Sequence, residues 1–219
     1  MNSPILQLLV LAGIAIFLVL RLRSVLGTRE GFEKPPAPAP SETRSNRAGF
    51  EVIEGGPDHD IVDHVPEGSD AADALAAMKK AEPSFSVSEF LSGARGAYEM
   101  ILMGFENGKV EDLKPFLADD VYETFEEVVA QREEQGLTIE ATFIGVRELS
   151  LADASYDETS GLAEITVRYM AELTSVVKNA EGEVVEGSAT AVKRQKDVWT
   201  YARTMGASDP NWQLVATDE

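Results

Sequence analysis

Apolar and polar positions follow three different rhythms along this chain, and each rhythm predicts a different kind of element. Residues 5–20 are almost continuously apolar: Ile5, Leu6, Leu8, Leu9, Val10, Leu11, Ile14, Ile16, Phe17, Leu18, Val19 and Leu20 are interrupted by the polar Gln7 and carry no charge. From Phe90 the rhythm is helical, with Phe90, Leu91, Ala94, Ala97, Tyr98, Ile101, Leu102 and Phe105 on one wide face. From Leu137 onward it shortens to two, the period of strands.

The apolar run predicts a membrane-spanning helix over residues 4–26. At 1.5 Å per residue, residues 4–20 cover roughly 26 Å, and Leu22, Val25 and Leu26 with snorkelling arginines complete the span. Met1-Asn2-Ser3-Pro4 has no basic side chain, whereas Arg21, Arg23 and Arg29 follow the run, which is the reverse of a cleaved signal peptide. The positive-inside rule then predicts a single-pass membrane protein, with its N-terminus outside and everything after Arg21 and Arg23 cytoplasmic.

Residues 27–68 predict a disordered, proline-rich acidic tether, stiffened by Pro35-Pro36-Ala37-Pro38-Ala39-Pro40. Within it, Asp58-His59-Asp60 and Asp63-His64 contain the only two histidines of the chain and superficially resemble a metal cluster. A flexible segment does not preorganise ligands, so these residues read as a solvated acidic linker. Residues 69–82 predict a short helix with a weakly apolar face of Ala71, Ala74, Leu75 and Met78, read as a partner-contact arm or a plain surface helix.

A folded domain is expected over 86–217. Ser86-Val87-Ser88-Glu89 matches a capping box, and Asn107-Gly108 stops the helix. A second helical unit breaks at Pro115, and a third starts near Asp119 and ends before Gln135-Gly136. Strands are expected over 138–149, 163–177, 184–201 and 212–216, with Asn179-Ala180-Glu181-Gly182 as a turn. Helices followed by a meander of long strands make an α+β domain with the helices on one face of a curved antiparallel sheet.

Charge narrows the functional classes. The formal net charge is −19, made of +2 over residues 1–34, −6 over 35–85 and −15 over 86–219. A body this acidic repels phosphate backbones, which argues against nucleic-acid binding. The chain has no cysteine, which removes disulfides, thiolate nucleophiles and cysteine-ligated metals. No catalytic residue, metal set or cofactor motif is read from the sequence.

The helix ending in Gly108-Lys109, the segment Leu113-Lys114-Pro115-Phe116-Leu117 leading to Val121-Tyr122-Glu123-Thr124-Phe125, the run Val198-Trp199-Thr200-Tyr201-Ala202-Arg203 and the close Asp209-Pro210-Asn211-Trp212-Gln213-Leu214 together carry a resemblance. They resemble the Tim-family scaffold domain, the family of the 44-kilodalton import-motor subunit of the mitochondrial inner membrane, with a likeness to bacterial TimA-type adaptors. The resemblance implies a cone-like fold of the nuclear-transport-factor-two or cystatin type, enclosing an apolar pocket, and a non-enzymatic adaptor linked to protein translocation or assembly at the membrane. Its protein partners are unidentified, and lipid contact is a further option. The presequence of the mitochondrial protein has no counterpart, and Glu89, Glu99 and Glu106 against the single Arg95 argue against electrostatic docking of the first domain helix to anionic lipid.

The residues nominated for a pocket or partner face are Tyr98, Phe105, Tyr169, Trp199, Tyr201 and Trp212. Trp199 and Tyr201, two apart on a strand, should share a face and meet Trp212 from the last strand, as core or pocket wall. Lys193, Arg194 and Lys196 form the densest basic patch, although strand alternation should divide them between faces. Arg203 reads as a surface charge or the holder of a carboxylate. Two alternatives to the adaptor are a binder of lipid or another apolar ligand, and a pocket isomerase or dehydratase using a carboxylate with Tyr98, Tyr122, Tyr169 or Tyr201 as donor.

Overall fold

The computed structural model describes residues 57–218. The expected membrane helix over 4–26, with Arg21 and Arg23, and most of the expected tether lie outside the described residues; among the described residues no helix is long and apolar enough to cross a membrane.

The elements are α1 (His59–Val62), α2 (Asp70–Ala81), α3 (Val87–Glu106), a 3-10 helix (Glu111–Phe116), α4 (Asp119–Glu134), and strands β1 (Thr138–Asp157), β2 (Leu162–Lys178), β3 (Val184–Thr204) and β4 (Gln213–Asp218). The strands form one antiparallel sheet in the order β1-β2-β3-β4, which makes the domain α+β. On β2, Ala163, Ile165, Val167, Tyr169, Ala171 and Leu173 are all buried, and this alternate row faces the helices.

Two expectations are corrected by burial. The helix over 69–82 is not an arm: Leu75 and Met78 are completely buried and join the same core as Leu151, Ile165 and Tyr201. Short side chains at Ala71 and Ala72 let this helix pack closely, so a face that looks weakly apolar in sequence still seals the core. The tether is also shorter than residues 27–68, because Ile61 and Val65 are buried and Asp60 is built into the domain. The Asp60 carboxylate accepts from the backbone nitrogens of Val87 (2.8 Å) and Ser88 (2.9 Å), from Ser86 Oγ (3.1 Å) and from Lys79 Nζ (3.0 Å). It thus caps α3 from outside that helix. Ser86 Oγ fulfils its half of the capping box by accepting from Glu89 N, while Asp60 satisfies the other free donors of the first turn.

At its far end α3 stops at Gly108, whose φ of 70° closes the helix in the left-handed region. The first strand runs past the expected 149 to Asp157, carried by its pairing with Leu162 to Arg168. The strand β4 pairs only with the stretch of β3 from Val198 to Ala202, and Leu117 bridges to Leu214 to tie the 3-10 helix to that edge.

The β2–β3 register jumps from Leu173↔Lys193 to Ser175↔Ser188, so residues 189–192 bulge out of the sheet. Gly187 beside this excursion has a φ of 78°, and a Cβ there would lie 2.2 Å from the carbonyl oxygen of Ser175. Gly187→Ala is therefore expected to break the distal hairpin register. Hydrogen exchange should show faster exchange at Val176 and Val177 with the Ile165–Tyr201 region unchanged; protection retained at Val176 would overturn this reading.

Candidate functional site

A cavity of about 350 Å³ opens between α3 and the turn that leads into β4. Its floor and walls are Phe85, Phe90, Phe116, Tyr201 and Trp212, with Gly93, Ala94 and Ala97 from one face of α3. Helical spacing puts Phe90, Gly93, Ala94 and Ala97 on one side, and the small side chains after Phe90 leave the space. The rim is polar, with Glu82, Ser84, Ser86, Glu89 and Asn211. The rings brace one another: Phe90 and Trp212 meet edge to face at 4.7 Å between centroids, and Phe90 and Tyr201 do so at 6.0 Å.

The rim is fixed by a long-range ion pair. Arg203 Nη2 donates to Glu82 Oε1 at 2.8 Å, while Glu82 Oε2 accepts from the backbone nitrogen of Gly206 at 2.9 Å. The Gly206 bond and the Arg203 guanidinium hold the Glu82 carboxyl below the usual carboxylate range. The guanidinium carbon of Arg203 lies 5.3 Å from the Trp212 ring centroid, so one arginine orders both a carboxylate and an aromatic wall. Its side chain is only 8% exposed, which makes the carboxylate-holding option correct and the surface-charge option wrong.

Behind the cavity lies a sealed polar cluster. The Tyr98 hydroxyl donates to Asp197 Oδ2, and Gln195 Nε2 donates to Asp197 Oδ1 at 3.1 Å. Tyr169 donates to the Ala94 carbonyl at 3.2 Å, and its oxygen lies 2.9 Å from the Tyr201 hydroxyl. Tyr98 stacks on Tyr169 with centroids 4.2 Å apart. Burial first, and then the Asp197 carboxylate, push the Tyr98 hydroxyl well above the ordinary phenol range; burial does the same to Tyr169 and Tyr201. These hydroxyls stay protonated as hydrogen-bond donors.

Of the six nominated pocket residues, Tyr201 and Trp212 line the cavity. Tyr98, Tyr169 and Trp199 stand behind it in the core. Phe105 belongs elsewhere: it packs on Phe125 at 4.5 Å beneath the Arg132 guanidinium, 4.3 Å from its centroid. Trp199 and Tyr201 do share the core face, with ring centroids 6.4 Å apart, whereas Trp212 meets Phe85 and Phe90. The basic patch divides by alternation. Arg194 pairs with Glu172 at 3.1 Å on the sheet face away from the helices, and Lys196 shares that face, while Lys193 is on the side of Glu106. Asp60, Glu82 and Asp197 carry no local mark as site-ordering groups, because the partners Ser86, Arg203 and Tyr98 are distant in the chain. Among the described residues no group of His, Asp and Glu is arranged to hold a metal ion.

Residues 71–219 match the Tim44-like domain family. The chain is 25% identical over 150 residues to the human mitochondrial import inner membrane translocase subunit TIM44, and 23% identical over 150 residues to the subunit from Rattus norvegicus. Each match covers 67% of this chain and 33% of the relative, so the chain spans about a third of the length of these curated relatives. Among solved structures, the intermembrane-space region of the chloroplast protein ARC6 matches with 15% identity over 67% of this chain and 95% of that one, at a TM-score of 0.37, too low to carry an argument.

Proposed function

The chain belongs to the Tim44-like domain family, and from that premise we propose that it is a membrane-anchored, non-enzymatic adaptor. It recruits or positions partner proteins at the cytoplasmic face of a bacterial inner membrane, in the transport or assembly of membrane proteins. The observation that carries the reading is the order of parts: an uncharged apolar run, arginines, a proline-rich acidic stretch, and then a Tim44-like domain over 71–219. The cone-like reading of the domain agrees with an apolar cavity between its helices and the sheet end.

The cluster most like an enzyme's supports a structural role. Tyr98 is fully buried and Asp197 is 5% exposed, and they are bonded to each other, an arrangement that supports a role in joining α3 to β3. The pocket supports the second reading, a receptor for an apolar ligand, since about 350 Å³ lies at the small end of ligand sites.

In-cell photocrosslinking from the cavity rim at Asn211, followed by mass spectrometry of membrane extracts, tests the proposal. Recovery of specific membrane proteins is expected; adducts with lipid or small apolar molecules alone would replace it with the ligand-binding reading. Gly93→Leu sharpens the test. Gly93 lines the cavity and a Cβ there meets nothing within 4 Å, so a side chain can be added at its mouth without displacing a neighbour at its first atom. Removing a mid-helix glycine should leave stability unchanged or raise it by up to about 1 kcal/mol. Cavity-dependent crosslinks should disappear, and their survival would show that the cavity is not the contact point.

A further inference from the structure

No lysine, arginine or histidine lines the cavity between α3 and the turn into β4, whereas Glu82 and Glu89 both do. Glu89 is exposed and forms no ion pair among the described residues. The positive end of α3 does not offset it, because Asp60 already accepts from the backbone nitrogens of Val87 and Ser88. Around the rim and the start of α3, Asp58, Asp60, Glu82 and Glu89 face Lys79 and Arg203, a balance of −2.

Inside this acidic rim the walls are aromatic. Phe90 meets Trp212 at an interplanar angle of 60° and Tyr201 at 80°, and Phe85 meets Trp212 at 42°. Rings set at such angles turn more than one plane toward a common space, as stacked rings do not. Trp212 already attracts a cation from the protein's side, since the Arg203 guanidinium that pairs with Glu82 lies 5.3 Å from its centroid. Trp212 and Phe116 are half-buried, so part of each ring stays open to the cavity.

We propose that this cavity binds a small organic cation, an ammonium group with apolar substituents, seated among the rings with its charge toward Glu89. The proposal rests on the ligand-binding reading of the cavity and specifies the charge of the ligand. Aromatic faces and a carboxylate both attract a positive charge, and the rings also cover the apolar substituents. A fatty acid or a phosphate-bearing ligand would bring a negative charge to two carboxylates, with no basic side chain lining the cavity to receive it.

The test titrates the full chain in a non-ionic detergent, by calorimetry, with choline, 3,3-dimethylbutanol and 3,3-dimethylbutanoate, which share a shape and differ in charge. Choline is expected to bind at least roughly tenfold more tightly than the neutral alcohol, and the carboxylate more weakly than either. In Glu89→Gln, which keeps a capping-box residue at that position, the preference for choline should fall to about twofold or less. Glu99→Gln, exposed on the same helix outside the cavity, should leave it unchanged. Equal affinity for choline and the alcohol, tighter binding of the carboxylate, an undiminished preference in Glu89→Gln or choline binding that survives Gly93→Leu would each overturn the proposal. Competition by phosphatidylcholine vesicles would assign the cation to a lipid headgroup, and its absence to a free solute. Failure of all three probes to bind removes the ligand reading and the proposal together, whereas equal binding removes the charge preference alone; membrane proteins captured from Asn211 test the adaptor separately.

Discussion

Replacing Tyr98 by Phe is expected to destabilise the domain by about 2–3 kcal/mol, the cost of removing a hydrogen bond from a buried charged acceptor. Nothing is lost in packing, because the ring that stacks on Tyr169 and lies 4.6 Å from Trp199 is retained. What changes is that Asp197, 5% exposed, loses the hydroxyl that bonds its Oδ2. For a domain of this size that corresponds to a drop in Tm of roughly 5–10 °C, readable by calorimetry or by urea unfolding at pH 7. Tyr169→Phe is the control, because its hydroxyl meets the neutral Ala94 carbonyl and Tyr201; about 1 kcal/mol is expected. Equal losses from the two substitutions would sink the idea that a buried carboxylate depends on Tyr98.

Asp60→Ala is expected to cost about 2–3 kcal/mol at neutral pH, since one side chain accepts from two backbone nitrogens at the start of α3, from Ser86 and from Lys79. Burial alone would raise its pKa, but the hydrogen bonds from Ser88, Lys79 and Val87 outweigh it and hold the carboxyl far below the usual range. The sign follows: the unfolded chain takes up a proton near pH 4 while the folded one does not, so stabilisation by Asp60 is complete above that pH and fades as the pH falls. The gap between wild type and Asp60→Ala should therefore narrow below about pH 4. A gap that stays constant down to pH 3 would show that the charge contributes nothing.

Local elements were legible in the sequence because their signals are local. The Ser86 cap, the Asn107-Gly108 stop and the change of period at Leu137 mark their own positions, and the described helices and strands begin and end close to them. The last third of β1 was not, since Ala152, Asp153, Ala154 and Ser155 have weak strand preference and are held by pairing with β2. The site was half legible. Large aromatics such as Tyr201 and Trp212 announce a wall, but the groups that order it act across the chain: Glu82 and Arg203 are 121 residues apart, and Asp60 lies 26 to 28 residues from the donors it caps. A single charged residue in an acidic stretch carries no sequence mark of such a partner.

The four residues that bulge from β3 bear on what happens when many copies crowd together. Beyond Val198 the outer side of β3 has no strand beside it among the described residues, and a row of free amide and carbonyl groups is a template on which another chain can crystallise. Residues 189–192 interrupt that row, and Lys193 and Lys196 place charge beside the gap. The exposed valines 184, 185 and 192 are thereby kept from forming one continuous sticky ribbon. A variant with the excursion deleted would gain a cleaner sheet and, with it, a path to fibre growth.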